Sequence, residues 1–171
     1  MKLHIKSKLM SIHDKMQILD EQDKIMYEVE SKALSIKDKT YIKKADGADI
    51  AYIHAKMISL HNTYFAEMTN GKAFELNEEL WHLTKDIIHI DKFGWQLEGD
   101  FLAHNYQIRD RHGDIIAMAR RKWISLHNIY YLDIMAENLV DEIVTVFIVL
   151  EHMIRKREEA AARTNHSQPN N

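Results

Sequence analysis

With 171 residues, 46% hydrophobic and 29% charged, the chain has the make-up of one folded domain with a core of its own, which argues against wholesale disorder. Its 23 basic and 26 acidic side chains are well mixed and leave a net charge of −3, so there is no broad positive field and no nucleic-acid partner is expected. The absence of cysteine excludes disulfides, thiol nucleophiles and cysteine-bound metal centres, and it fits a reducing cytoplasm.

From the start of the chain, residues 1–10 alternate charged with apolar side chains and lack the apolar stretch of a secretory signal, so they read as mature structure. A five-residue phrase then appears, Lys8-Leu9-Met10-Ser11-Ile12. It returns as Lys32-Ala33-Leu34-Ser35-Ile36, Lys56-Met57-Ile58-Ser59-Leu60 and Lys122-Trp123-Ile124-Ser125-Leu126, the first three copies starting 24 residues apart. A fixed internal period marks a repeated structural unit and argues against any single copy being a catalytic centre.

Around the phrase the apolar residues alternate, as in Ala51-Tyr52-Ile53-His54-Ala55-Lys56-Met57, which is the pattern of a half-buried strand. Two kinds of turn signal separate the strands. One is an Asx residue after the phrase (Asp14, Asp38, Asn62, Asn128); the other is often glycine-bearing (Asp46-Gly47, Asn70-Gly71, His112-Gly113). One period is therefore a hairpin, two strands and two turns. Extended along the chain, this predicts twelve strands near 2–11, 15–20, 24–35, 39–45, 49–59, 63–68, 72–81, 85–91, 94–99, 104–110, 114–125 and 129–135. A degenerate fifth copy of the phrase sits at residues 99–105, recognisable mainly by its turn.

The last element is ambiguous by propensity, because Ile143 to Leu150 is rich in β-branched residues. Asn138 followed by Asp141 reads as an N-cap with an acidic first turn, and good helix formers follow Glu151 with Arg155, Lys156 and Arg157 late, so a helix is expected over about 137–158. Its uninterrupted apolar run is far shorter than the ~20 residues that span a bilayer. A helix apolar on every side must be buried on every side, and a twelve-stranded sheet closing on itself is wide enough to hold one. The expectation is a mainly β single domain over 1–158, a closed antiparallel barrel around a hydrophobic C-terminal helix, followed by a polar, disordered tail over 159–171.

Several segments carry a resemblance. Trp95-Gln96-Leu97-Glu98-Gly99-Asp100-Phe101, Tyr106-Gln107-Ile108-Arg109-Asp110 ahead of Gly113, Arg121-Lys122-Trp123, Tyr130-Tyr131-Leu132-Asp133-Ile134, and Asp141 before an apolar helix together resemble the LURP-one-related family. That family shares the tubby C-terminal-like fold with tubby proteins and phospholipid scramblases. The resemblance implies a closed twelve-stranded barrel around a central helix, and it resolves the last element as helix. For function it implies only an analogy, to phosphoinositide binding or membrane association, and it implies no catalytic residues. No tubby-type phosphoinositide pocket maps onto this chain, and the cysteine-rich stretch of scramblases is absent. Glu151 stands where many relatives place an Asp.

Equivalent positions of the phrase bring Lys8, Lys32, Lys56 and Lys122 to one level of the barrel, near the end where His13, Lys37, His61, His104 and His127 fall in turns. This basic rim, with Lys8, Lys32, Lys56, Lys122, His61 and His127 as its candidate ligand-binding residues, would hold anionic phospholipid headgroups. The competing explanation is that these lysines only solvate the wall. A shared metal site is disfavoured, because equivalent turns two strands apart lie ~10 Å apart, beyond joint ligation. Asp110, His112 and Asp114 read as turn residues, and neither metal nor other cofactor is expected. The phrase serines lack a partner base, so the expected role is non-enzymatic binding or scaffolding in the cytoplasm, peripheral to a membrane in its sharpest form; the alternative is a small-ligand or metal-dependent enzyme site at one barrel end. Tyr27, Tyr41, Phe65, Trp95, Trp123 and Tyr131 are expected mostly between wall and helix, and Trp81 near a strand end.

Overall fold

Alternation of period two and regularly spaced turns build a chain of antiparallel hairpins, and the computed structural model contains them. It describes residues 1–6, 15–32, 39–58, 61–77, 87–124 and 127–166. The strands are β1 (Lys2–Lys6), β2 (Lys15–Asp20), β3 (Ile25–Lys32), β4 (Lys39–Lys44), β5 (Asp49–Ile58) and β6 (His61–Met68). They continue as β7 (Ala73–Asn77), β8 (Ile87–Ile90), β9 (Trp95–Asp100), β10 (Asn105–Arg109), β11 (Ile115–Ile124) and β12 (His127–Ile134). A 3-10 turn (Glu137–Leu139) leads into helix α1 (Val140–His166).

The twelve strands form one sheet in the order β7-β6-β5-β4-β3-β2-β1-β12-β11-β10-β9-β8. Chain neighbours other than β7 and β8 pair as hairpins, and β1 also pairs β12, with Lys2 opposite Asp133 and Lys6 opposite Ile129, which curls the sheet into a nearly closed barrel. The sequence predicts full closure. Among the described residues, however, the ladder ends at β7 on one side and β8 on the other, and this seam is bridged by side chains: Phe74 packs on Phe93 at 5.2 Å and Phe93 on Trp95 at 4.8 Å.

The glycine-bearing turns share one hydrogen-bond pattern. Gly47 N–H donates to Lys44 and Lys44 N–H to Ala48; Gly113 with Asp110 and Asp114, and Gly71 with Met68 and Lys72, repeat it. Gly47 has φ +88°, a left-handed conformation that costs a glycine little. In the first hairpin the same place is taken by Asp23, at φ 60°, one of the few side chains that tolerate it. Gly99 serves a different need. Its φ is +140°, and a Cβ there would lie 2.5 Å from the Asn105 carbonyl oxygen, so only glycine lets β9 and β10 approach.

Inward positions of the wall are apolar, with Leu3, Ile18, Val29, Ile42, Ile53, Leu76, Leu97 and Ile108 buried, and all of them face α1. On the helix every side chain from Glu142 to Glu151 is buried, so the apolar run is enclosed on all sides as its composition requires. Each fully buried Ile, Val, Leu or Phe contributes on the order of 2 kcal/mol relative to exposure. The helix start differs from expectation: Asn138 lies inside the 3-10 turn, the N-cap residue is Ala136, and no side-chain cap bond forms. The acidic first-turn residues Asp141 and Glu142 place negative charge at the positive end of the helix dipole. The helix also runs to His166, eight residues past the predicted end at 158 and into the segment expected as a tail; residues 167–171 lie outside the described residues. Not every aromatic faces inward. Tyr27 and Trp95 are buried, but Tyr41, Phe65 and Tyr131 are only half-buried. Tyr41, Tyr52, His54 and Phe65 form a row on the outward positions of β4, β5 and β6, with ring centroids 5.1–5.4 Å apart. Strand parity decides this, since each opposes a residue of its own face on the neighbouring strand. The side chain of Trp123, and Trp81 altogether, lie outside the described residues.

Polar contacts fix the helix along its axis. At its start the Tyr27 hydroxyl donates to Asp141 Oδ1 at 2.7 Å, and Lys44 Nζ lies 3.0 Å from Asp141 Oδ2. Glu142, 7% exposed, accepts from Lys72 at 2.6 Å and from Asn70 at 3.0 Å. Two turns further, Glu151 meets His104 with Oε2 2.8 Å from Nδ1, both side chains 5% exposed, and the Tyr106 hydroxyl donates to its other oxygen at 3.4 Å. The His104 and Glu151 atoms approach without hydrogen-bond alignment, so what joins them is charge when the imidazole is protonated. His104, expected in a surface turn, is instead folded inward at φ 51° because the β9–β10 turn docks Phe101 and His104 against α1.

Truncation after Asp133 empties the barrel and is expected to abolish the cooperative thermal transition seen by circular dichroism; a truncated chain that still melts cooperatively would refute the central-helix architecture. Glu151→Ala removes the buried carboxylate that faces His104 and accepts from the Tyr106 hydroxyl, leaving buried polar groups without a partner, and should cost about 2 kcal/mol in urea denaturation, with Glu151→Gln less damaging. Burial above all, then the bond to and charge of Asp141, hold the Tyr27 phenol above its usual range, and burial followed by Glu151 does the same for Tyr106. Above about pH 10 the unfolded chain sheds these protons while the folded barrel retains them. The contribution of these two groups is therefore constant below that pH and falls above it, and Tyr27→Phe should flatten the fall in denaturation series taken across it.

Candidate functional site

Because α1 fills the lumen, surfaces available to a ligand lie on the outer wall and at the two barrel ends. The strands alternate in direction, so β1, β3, β5, β9 and β11 all finish at one end. Three copies of the repeated phrase begin there: Lys32 is the last residue of β3, opposite Lys39; Lys56 lies near the end of β5, opposite Thr63; and Lys122 lies near the end of β11, opposite Ile129. In sheet order these strands are separated by one strand between β5 and β3, and by three between β3 and β11, one of them β1, which leads toward Lys8. Lys8, His13 and Lys37 lie outside the described residues. His61 and His127 open β6 and β12 at this same end. The backbone thus gathers Lys32, Lys56, Lys122, His61 and His127 at one end; among these, the Lys122 side chain is described, exposed and 5.5 Å above the Tyr131 ring.

Beside it, the β9–β10 turn presents Leu102, 48% exposed, while its neighbours Phe101 and His104 point into the core. Arg121 N–H donates to the His104 carbonyl at 3.0 Å, which sets this turn directly against the end of β11. Leu102 escaped the sequence reading because alternation gives no direction to a turn residue. Its signal was the degenerate copy of the phrase at residues 99–105.

The opposite end holds a cleft of about 440 Å³ where the β6–β7, β8–β9 and β10–β11 turns meet the helix start. Phe93, Trp95 and Leu139 supply apolar lining, and Lys72, Lys92, Arg111 and His112 bring positive groups. The turn residues Asp110, His112 and Asp114 are not arranged around a common centre: Asp110 Oδ1 accepts the N–H groups of His112 at 2.8 Å and Asp114 at 3.1 Å. Desolvation acts upward on the Asp110 carboxyl, but these backbone donors and nearby His112 outweigh it and hold the group below its ordinary range. No group of three or more His, Asp or Glu among the described residues is placed to hold a metal ion. Likewise, no described helix is long and apolar enough to cross a membrane.

The fold has a counterpart in the X-ray structure of a protein from Arabidopsis thaliana, with a TM-score of 0.52 and 11% identity over 89% of this chain and 91% of that one, a likeness of fold alone. In sequence the chain is 25% identical over 158 residues to the uncharacterized protein YxjI of Bacillus subtilis, covering 92% of this chain and 96% of YxjI. The family model LURP-one-related matches residues 1–151, every strand of the barrel and the first half of the helix it encloses, and the chain belongs to the LURP-one-related family.

Proposed function

We propose that this protein is a non-enzymatic binding protein that contacts anionic phospholipid surfaces with the barrel end formed by the repeated phrase. What carries this reading is the pairing, on adjoining strands, of an exposed apolar tip with exposed positive charge: Leu102 on the β9–β10 turn and Lys122 on β11, at the end where the strands bearing Lys32 and Lys56 also finish. Leucine at such a tip enters the headgroup region, while lysines are drawn to the negative surface potential, each by about 1 kcal/mol close to the membrane. One residue of each kind gives weak contact; several around one rim act together. Attachment of this type is reversible and falls with ionic strength, because the charge contribution is screened within a Debye length.

Co-sedimentation with vesicles of phosphatidylcholine alone and of phosphatidylcholine with phosphatidylserine tests it. Binding is expected to the mixed vesicles only, reduced about fivefold or more by Lys122→Glu and further by Lys32→Glu with Lys56→Glu. Leu102→Asp should weaken it without altering the melting curve. Equal, negligible sedimentation with both compositions would sink the proposal.

A further inference from the structure

The cleft at the other end, around the helix start, has a chemistry of its own. Its volume of about 440 Å³ lies within the span of small-molecule sites. It is lined on one side by ring surface, with Phe93 half-buried and tilted at 55° against the buried Trp95. Charged groups line the cleft as well. Lys72 is committed to Glu142 at 2.6 Å, with Asn70 donating to the same oxygen. Asp110 is committed to the backbone of its own turn. Lys92 and Arg111, both exposed, have no carboxylate partner among the described residues, and His112 adds a third group that becomes positive on protonation. Counted as charges, Lys72 offsets Glu142 and Asp110 offsets one of the two remaining cations, so the cleft keeps a positive balance that grows when His112 is protonated.

The turns that carry these cations pack against each other. Arg111 packs close against Gly94, where an added Cβ would come within 3.3 Å of the Arg111 Cβ, so the β8–β9 and β10–β11 turns lie side by side. Asp110 accepts two backbone N–H groups of the turn that bears Arg111, fixing the backbone from which that guanidinium extends. A guanidinium and a lysine lining one cleft suit the geometry of phosphate oxygens, and an adjacent aromatic wall suits a flat apolar body.

We propose that this cleft binds a small phosphate-bearing molecule with a planar body, the phosphate held by Lys92 and Arg111 and the ring system laid against Phe93 and Trp95. The site is at the opposite end of the barrel from the lysine rim, so the two proposals stand or fall separately.

Phenyl phosphate is the probe, with inorganic phosphate and phenol as its two halves, each titrated calorimetrically into the full chain. Saturable binding of phenyl phosphate is expected, at least about tenfold tighter than either half. The Lys92→Glu/Arg111→Glu double variant, altered at exposed positions, should melt as the parent does yet lose binding by about tenfold or more. Lys122→Glu should leave the affinity unchanged. Absence of saturable heat with phenyl phosphate, undiminished binding by the double variant, or phenol binding as tightly as phenyl phosphate would each overturn the assignment.

Discussion

A helix whose side chains are apolar on every face cannot rest on the surface of anything. From Ile143 to Leu150 the chain offers no polar stripe to water apart from Thr145, and even that hydroxyl is turned back to the Asp141 carbonyl at 2.7 Å. The demand is met by wrapping a sheet around the segment. Twelve short strands give a circumference that accommodates a helix with its side chains, whereas a smaller barrel would fill with its own. The inward apolar positions of ten hairpin pairings, the curl that brings β1 against β12, and the aromatic bridge across the β7–β8 seam all follow from that one requirement.

Apolar burial has no direction, so it does not say how far the helix slides along the barrel or how it is turned. Polar groups decide this. Asp141 and Glu142 reach Tyr27, Lys44, Asn70 and Lys72 on three different strands or turns, and they compensate the helix start in place of an N-cap side chain. Further along, Glu151 finds His104 and Tyr106. These contacts are costly to desolvate and add little net attraction, but each is made in one axial setting only. Their placement at both levels of the barrel pins α1 against translation and rotation.

Filling the lumen moves any binding to the outside. A barrel of this size without its helix could hold a ligand in its middle; with it, the hairpin turns at the two ends become the sites of greatest variety. The ends differ in kind. One gathers the strand ends that bear Lys32, Lys56 and Lys122 beside an exposed leucine. The other is a cleft lined by aromatic rings and cations.

Much of this was legible in the sequence, because strands, turns and the apolar helix are written in local pattern. The 24-residue spacing gave the hairpin unit, alternation gave the number of strands, and the family resemblance settled Ile143 to Leu150 as helix despite its β-branched residues. What local pattern lacks is direction beyond a single strand. Tyr41, Phe65 and Tyr131 looked like core residues by type, yet parity across the ladder turned them outward. Asn138 looked like a cap, yet the helix start is held by residues distant in sequence. His104 looked like a turn histidine, and the docking of its turn against Glu151 buried it. The cleft lined by Lys92, Arg111, Phe93 and Trp95 had no signature, since its walls come from separate turns that only barrel closure brings together. The sequence by itself determined the elements and their order, through periodicity and composition; the tertiary structure alone decided which face each side chain takes and which distant turns meet, because those depend on sheet register and on the axial seat of the helix.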